Sequence, residues 1–247
     1  MTALRRLTVM EAKLFLRDPA AIVMSLAFPM LLVVVLGGVM PGFRTPVAEL
    51  AGLRPIDIYL PVVVAMAVAT VAITTLPTTV AGYRERGVLR RLATTPVRPA
   101  KLLGAQLLVS VAATTLAVGL AVAAAAVTFR VPLPEHPVSF LGVFLLGGAA
   151  TFTVGLLIAA LASTGRAANA IGMLVYFPML FFAGVWTPGP MMPETIRRLS
   201  DLTPLGALSQ ALQASWAGQA VRPLHLLVMV GYLAVVGALA ARLFRWR

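Results

Sequence analysis

Six stretches of the chain are apolar and free of Asp, Glu, Lys and Arg: Ala20–Met40, Ile58–Gly82, Leu102–Phe129, Ser139–Ala162, Asn169–Trp186 and Pro223–Ala241. A helix needs roughly 20 apolar residues to cross the hydrocarbon core of a bilayer. The pattern therefore predicts an all-α polytopic membrane protein, one unit over residues 1–247 with six transmembrane helices. Pro29, Pro61, Pro77 and Pro178 fall inside these spans. Neighbouring helices in a membrane bundle can re-satisfy the carbonyls that such prolines free.

Two further segments have a helical pattern without the length to cross. In residues 3–17, Arg6, Lys13 and Arg17 share one stripe, with Leu4, Leu7, Leu14 and Phe15 roughly opposite. That predicts an amphipathic N-terminal helix lying on the inner membrane surface, although Glu11 and Asp18 interrupt the wheel. The apolar run that follows is too long for a signal-peptide core, and no small-x-small site comes after it, so it is expected to stay as the first span. Thr187–Arg222 opens on the breakers Pro188, Gly189, Pro190 and Pro193. It continues as TIRRLSDL, a Thr203-Pro204 break and LGALSQALQASW. This reads as a re-entrant helical pair on the outer face, before the last span.

Charge orients the chain. With both termini cytoplasmic, the inner segments 1–19, 83–101, 163–168 and 242–247 hold 14 basic residues (four, six, one and three) and the outer segments hold 6. This is the positive-inside bias, and an even number of spans agrees with it. Tyr59, Tyr83, Trp186 and Trp246 lie near span ends, where aromatic belts form. The composition is 60% hydrophobic and 11% charged, which excludes a soluble globular enzyme. The net charge of +12 reads as topology and anionic lipid before nucleic acid. Lys13 and Lys101 are the only lysines among 20 basic residues. That arginine bias, with abundant Ala and Gly, points to a GC-rich bacterium and hence to its cytoplasmic membrane.

The same residues exclude several engines. Ion-driven carriers usually place ionisable groups at mid-membrane. Here the spans offer only His225, near the outer end of the last one and read as an interfacial side chain. A P-loop needs Gly-Lys followed by Ser or Thr, and each lysine follows alanine. With no cysteine, no Ser/His/Asp set, no metal cluster and no paired intramembrane carboxylates, the chain is expected to have no catalytic residues, no metal and no cofactor of its own. Uphill transport would then draw its energy from another subunit, through a cytoplasmic contact.

Tyr83–Lys101 is the one inner loop between spans that can hold a helix. Val88, Leu89 and Leu92 form an apolar face; Arg84 and Arg91 share a second stripe, Arg86 and Arg90 a third. Thr95-Pro96 stops the helix, and Pro99 suits the first turn of the next span. Such a helix fits docking into a groove on a partner. The arginines equally serve topology and lipid binding. Thr74, Thr75, Thr78 and Thr79 surround Pro77 in the second span, and Tyr176, Phe181 and Phe182 surround Pro178 in the fifth. They suit a wet path for a bulky amphipathic solute. They equally suit threonines bonded to carbonyls of their own helix and aromatics packed between helices.

Glu85-x-Gly87-x-Leu89 followed by Leu92-x-x-Thr95-Pro96, with FFAGVWTPGPMMPETIRRLSDLTPLGAL over Phe181–Leu208, resembles the ABC type-2 transporter permeases. The small size is most similar to the daunorubicin-type drug-resistance branch. Where the family often has an acidic residue, this chain has Arg90 and Arg91. The resemblance implies a dimer of permease subunits, here two identical copies, with two ABC ATPase subunits that bind the ATP and Mg. It implies a coupling helix that seats Glu85, Arg86, Gly87, Val88, Leu89 and Leu92 in the ATPase. Spans two and five would line the path, and the outer helical pair would gate it. The function implied is export of a drug, antibiotic or other hydrophobic solute. Alternatives are export of a lipid or lipid-linked glycan, a passive channel or non-transporting scaffold, and an intramembrane enzyme.

Overall fold

The computed structural model describes residues 3–50, 52–93, 99–187 and 192–244. The Thr95-Pro96 stop, Pro188, Gly189, Pro190 and Trp246 lie outside them, as do the side chains of Glu49, Arg90, Ala93 and Pro99. The described residues form ten α-helical elements, a single 3-10 turn (Ala48–Leu50) and no strand. They are α1 (Ala3–Leu16), α2 (Pro19–Val39), α3 (Pro55–Glu85), α4 (Val88–Ala93), α5 (Pro99–Phe129), α6 (Pro137–Leu161), α7 (Gly165–Phe182), α8 (Glu194–Asp201), α9 (Pro204–Trp216) and α10 (Pro223–Leu243). Helices α2, α3, α5, α6, α7 and α10 are the six spans expected.

Five of the six begin on proline: Pro19, Pro55, Pro99, Pro137 and Pro223. Proline fits the first helical turn, where its missing N–H leaves nothing unpaired. Four of these lie one to three residues ahead of the apolar run, whereas Pro223 is where the last run itself begins. The exception, α7, starts four residues before the apolar run, because the Thr164 side chain accepts a hydrogen bond from Ala167 N at 3.1 Å and caps it.

Helix α3 is the axis of the bundle. In its most apolar stretch 89% of residues are buried, against 22% in α2 and α7 and 17% in α10. It is apolar all round, and such a helix belongs inside. Helix α9 also lies inside, with Leu205, Leu208 and Leu212 fully buried against α3, α6 and α10. Trp216, at its end, donates to Pro132 O at 3.0 Å. Asp201, at the end of α8, is buried and accepts from Arg222 at 3.1 Å and pairs with His225 Nε2 at 2.9 Å. His225 is thus not the interfacial side chain expected from sequence; it is 2% exposed, drawn inward by a buried carboxylate that needs partners.

The central span carries its own irregularity. Thr70–Thr75 is a π-helical turn ending two residues before Pro77, and Val23–Ala27 is another ending two residues before Pro29. A proline inside a helix lacks a donor and clashes with the carbonyl four residues back; the widened turn absorbs both. Leu76 N–H reaches back to Val71 O, so the Ala72 carbonyl loses its usual donor, and its next one along would be Pro77, which has none. That oxygen sits where a Gly155 Cβ would be. Ile73 O, freed by the same proline, lies 2.7 Å from where a Gly172 Cβ would be. Glycines in α6 and α7 let those backbones approach the exposed carbonyls, where Cα–H groups can meet them.

Helix α1 packs along α5, but its inward stripe is rotated from the one the sequence suggests. Leu7, Thr8, Ala12 and Phe15 are half-buried around a fully buried Glu11, whereas Leu4 and Leu14 are exposed. Tyr83 Oη donates to Glu11 Oε2 at 2.6 Å, and Glu11 Oε1 has no partner among the described residues. Asp18, the other misplaced acid, accepts from Ala21 N at 3.0 Å and caps the start of α2.

Two outcomes test these contacts. Gly155→Ala forces α6 off the Ala72 carbonyl and is expected to destabilise the bundle by at least ~2 kcal/mol, read as thermal unfolding in detergent. Gly119→Ala, where a Cβ meets nothing, is expected to stay within about 0.5 kcal/mol. Burial raises the Glu11 pKa, the Tyr83 hydrogen bond offsetting part of the rise. Docking of α1 is therefore strongest with the carboxyl protonated. It weakens as pH climbs from the ordinary value of about 4.3 through the raised one, and stays weaker above it. Hydrogen exchange over residues 3–16, corrected for intrinsic rate, is expected to show that loss of protection; Glu11→Gln, which keeps an acceptor for Tyr83, should be flat with pH.

Candidate functional site

The basic end of the bundle gathers α1, α4, the lower end of α3 and Phe244. Gly87 joins α3 to α4 at φ +68°, the left-handed conformation that glycine adopts without a Cβ penalty. Six residues are too few to hold a helix alone, so α4 is stable only by burying a face. It does so within its own chain. Leu89 is 1% exposed and clusters with Tyr83 and Leu102, and Leu7, Val88, Leu92 and Phe244 pack around them. The sequence reading offered Val88, Leu89 and Leu92 to a partner; here that apolar face seats α4 on α1 and α5. What remains outward is Glu85, Arg86 and Arg91, with Gly87 half-buried. The Arg86 guanidinium lies 5.5 Å from the Tyr83 ring.

Two adjacent charges end α3, and each serves a different helix. Arg84 Nη1 donates to Ala159 O at 2.8 Å and Ala162 O at 2.6 Å, the last carbonyls of α6. Its guanidinium also lies 5.1 Å from the Phe244 ring. Glu85 Oε2 accepts from Gly165 N at 3.0 Å, at the start of α7. A cation at a helix C-terminus and an anion at an N-terminus both complement the helix dipole. Arg84 and Glu85 thereby grip the turn between α6 and α7. The sequence showed these charges but not their partners, which lie 75–80 residues away.

Along α3 the four threonines are half-buried. Thr78 donates to Thr74 O at 2.6 Å and Thr79 to Thr75 O at 2.9 Å; Thr74 bonds Thr70 O in the same way. Thr75 Oγ1 lies 3.5 Å from Ser25 Oγ, so the two π turns face each other. Tyr176 is buried, with its hydroxyl 2.8 Å from Thr70 Oγ1. The structure thus brings α3 and α7 together through Thr70, a residue the sequence reading passed over because it is isolated from the 74–79 cluster. Phe181 is 37% exposed and Phe182 half-buried, their rings edge to face at 5.6 Å. The far end of α7 is tied down by Ser200, which donates to Phe182 O at 2.6 Å, by Ser209, which donates to Ala183 O at 2.7 Å, and by Tyr59, which donates to Val185 O. Met173, Phe177 and Phe181 form an outward stripe on α7, with Leu174 beside it.

Among the described residues no three of His, Asp and Glu come together where a metal ion could sit. The site comprises a charged surface, a clamp and a central helix.

The pattern of the family described as "ABC-2 type transporter" matches residues 2–216, most of the chain. No curated protein matches it. With six apolar helices, one of them a core span, the match makes this a multi-pass membrane protein whose family works with an ABC ATPase. The chain belongs to the ABC-2 type transporter family and is the permease component of an ABC transporter, not its ATPase.

Proposed function

We propose that the chain exports a hydrophobic or amphipathic solute, of the drug, antibiotic or lipid-like kind, across a bacterial cytoplasmic membrane, as in the daunorubicin-type branch. The observation that carries this reading is the clamp at the end of α3. Arg84 and Glu85 bond that end to α6 and α7, and α4 is rooted beside it. A load on the outward Glu85–Arg86–Arg91 surface therefore moves the most buried span together with both neighbours. The basic end is the cytoplasmic one in this scheme, and two ATPase subunits, holding ATP and Mg, press on it. Two identical permease copies meet through the little-buried α2 and α7, whose outward apolar residues include Leu31, Val35 and Phe177. Solute passes between them, along α7 at Tyr176, Phe181 and Phe182 and past the Thr74–Thr79 flank of α3, and the α8–α9 pair gates the far side.

Gly87, Val88, Leu89 and Leu92 shape the coupling surface in this scheme by holding α4 in place; Glu85 and Arg86 touch the ATPase. Arg86→Glu reverses an exposed charge without disturbing the core. It is expected to weaken ATPase copurification and solute-stimulated hydrolysis roughly tenfold, about 1.4 kcal/mol. Full retention of both would remove this surface from the contact. Tyr176→Phe deletes the bond to Thr70 at a cost of about 1 kcal/mol. Efflux of a panel of amphipathic dyes is expected to change unevenly between solutes; an unaltered panel would leave Tyr176 with a packing role only.

A further inference from the structure

The third and fourth spans follow one another in sequence, yet they stand apart. Helix α5 packs mainly on α1, α2 and α3, whereas α6 packs mainly on α10, α9 and α3. Successive helices on a short connection are usually neighbours. Here a cavity of ≈ 430 Å³ fills the gap. Leu107 and Val111 of α5 form one wall, Phe144 and Phe152 of α6 the other, and Val68 of α3 the floor.

Its depth and chemistry identify an occupant. Residues 114, 149 and 233 line it, and each is the midpoint of its helix, so the cavity lies at the centre of the hydrocarbon layer. It runs from residue 144 to 156 along α6, about 18 Å at 1.5 Å per residue. At its mouth Leu145 and Leu233 are 53% and 37% exposed, so it opens sideways, toward lipid. The two hydroxyls in its wall are turned away: Thr114 donates to Ser110 O at 2.9 Å and Thr153 to Ala150 O at 2.7 Å. Nothing is offered to a water or a polar head, and an apolar cavity of this kind does not hold water. Gly148 marks the space. It is buried, yet a Cβ there would have no heavy atom within 4 Å, whereas Gly147 beside it is pressed by Leu208 and Met229. An open void forfeits the dispersion contacts of its lining. At this depth the medium at the mouth is lipid tail.

We infer that the cavity is a lateral site for the acyl tail of a membrane lipid, held between the third and fourth spans and separate from the α3–α7 track. The tail wedges the α1–α2–α5 side of the bundle against the α6–α9–α10 side. This inference needs only that the chain spans a bilayer, not that it exports any solute.

The test uses the full chain in nanodiscs containing a phospholipid with a photoreactive diazirine at mid-tail, with labelled peptides mapped by mass spectrometry. Labelling is expected within 107–114 and 144–156. Gly148→Leu, which fills the space from α6, should cut it at least fivefold, and Val111→Phe, which fills it from α5, should do the same. Gly119→Leu, facing outward, should leave it unchanged, and labelling at the outward Leu227 should be equal in all four proteins. A headgroup-placed diazirine should leave both peptides unlabelled. Undiminished labelling in both filled variants would overturn the site, as would absence of label from both peptides in the wild-type protein.

Discussion

In hydrocarbon, a backbone carbonyl without a donor has no water to turn to, and this bundle is arranged around one place where that rule is strained. Pro77 removes a donor from the most buried helix, and the π turn before it shifts Leu76 N–H back to Val71 O. Gly155 and Gly172 are the answer in the neighbouring helices. Any side chain at either would push α6 or α7 outward. The spacing of three spans at mid-membrane is therefore set by one proline and two glycines, before any large side chain packs.

The charged residues follow the complementary rule. Among the described residues none lies in the apolar stretches of the six spans; several gather at helix ends, where backbone groups lack partners, and Glu11 is buried midway along α1. Arg84, Glu85, Asp18 and Asp57 each meet or cap the end of a helix. Asp201 is also buried, and it is matched by His225 and Arg222. Placing charge this way closes helix ends with some of the same side chains that make the 83–101 loop basic. That is why the arginines of the Tyr83–Lys101 loop could be read both as topology signals and as docking residues.

The spans were legible because crossing a membrane is a local property: length and absence of charge suffice. Four of their starts were displaced to a proline ahead of the apolar run, whereas the last begins at Pro223 as read. Partner choice was not legible. Glu11 looked misplaced on its wheel until Tyr83, 72 residues away, came to cover it. The apolar face of α4 was plain in sequence, but whether it would meet another protein or its own chain depended on where α1 and α5 would lie. The internal bonding of the α3 threonines was one of two open readings and is the geometry observed, whereas the Thr70–Tyr176 contact had no signal beyond a lone hydroxyl.

The two constraints meet in the way force can travel. Below the Thr70–Thr75 turn, α3 is bound through Arg84 and Glu85 to α6 and α7; above it, α3 is bound to the far end of α7 through Tyr59 and Val185. The turn between is a mid-helix stretch where the regular ladder is already broken, and the π turn of α2 faces it across Ser25 and Thr75. A helix bends most cheaply where its hydrogen bonds are already displaced. A displacement of the basic end would pass through the clamp to α6 and α7, and α3 can change angle at the level where Tyr176 meets Thr70. The proline that strains the core is also what allows the two ends of the bundle to move differently.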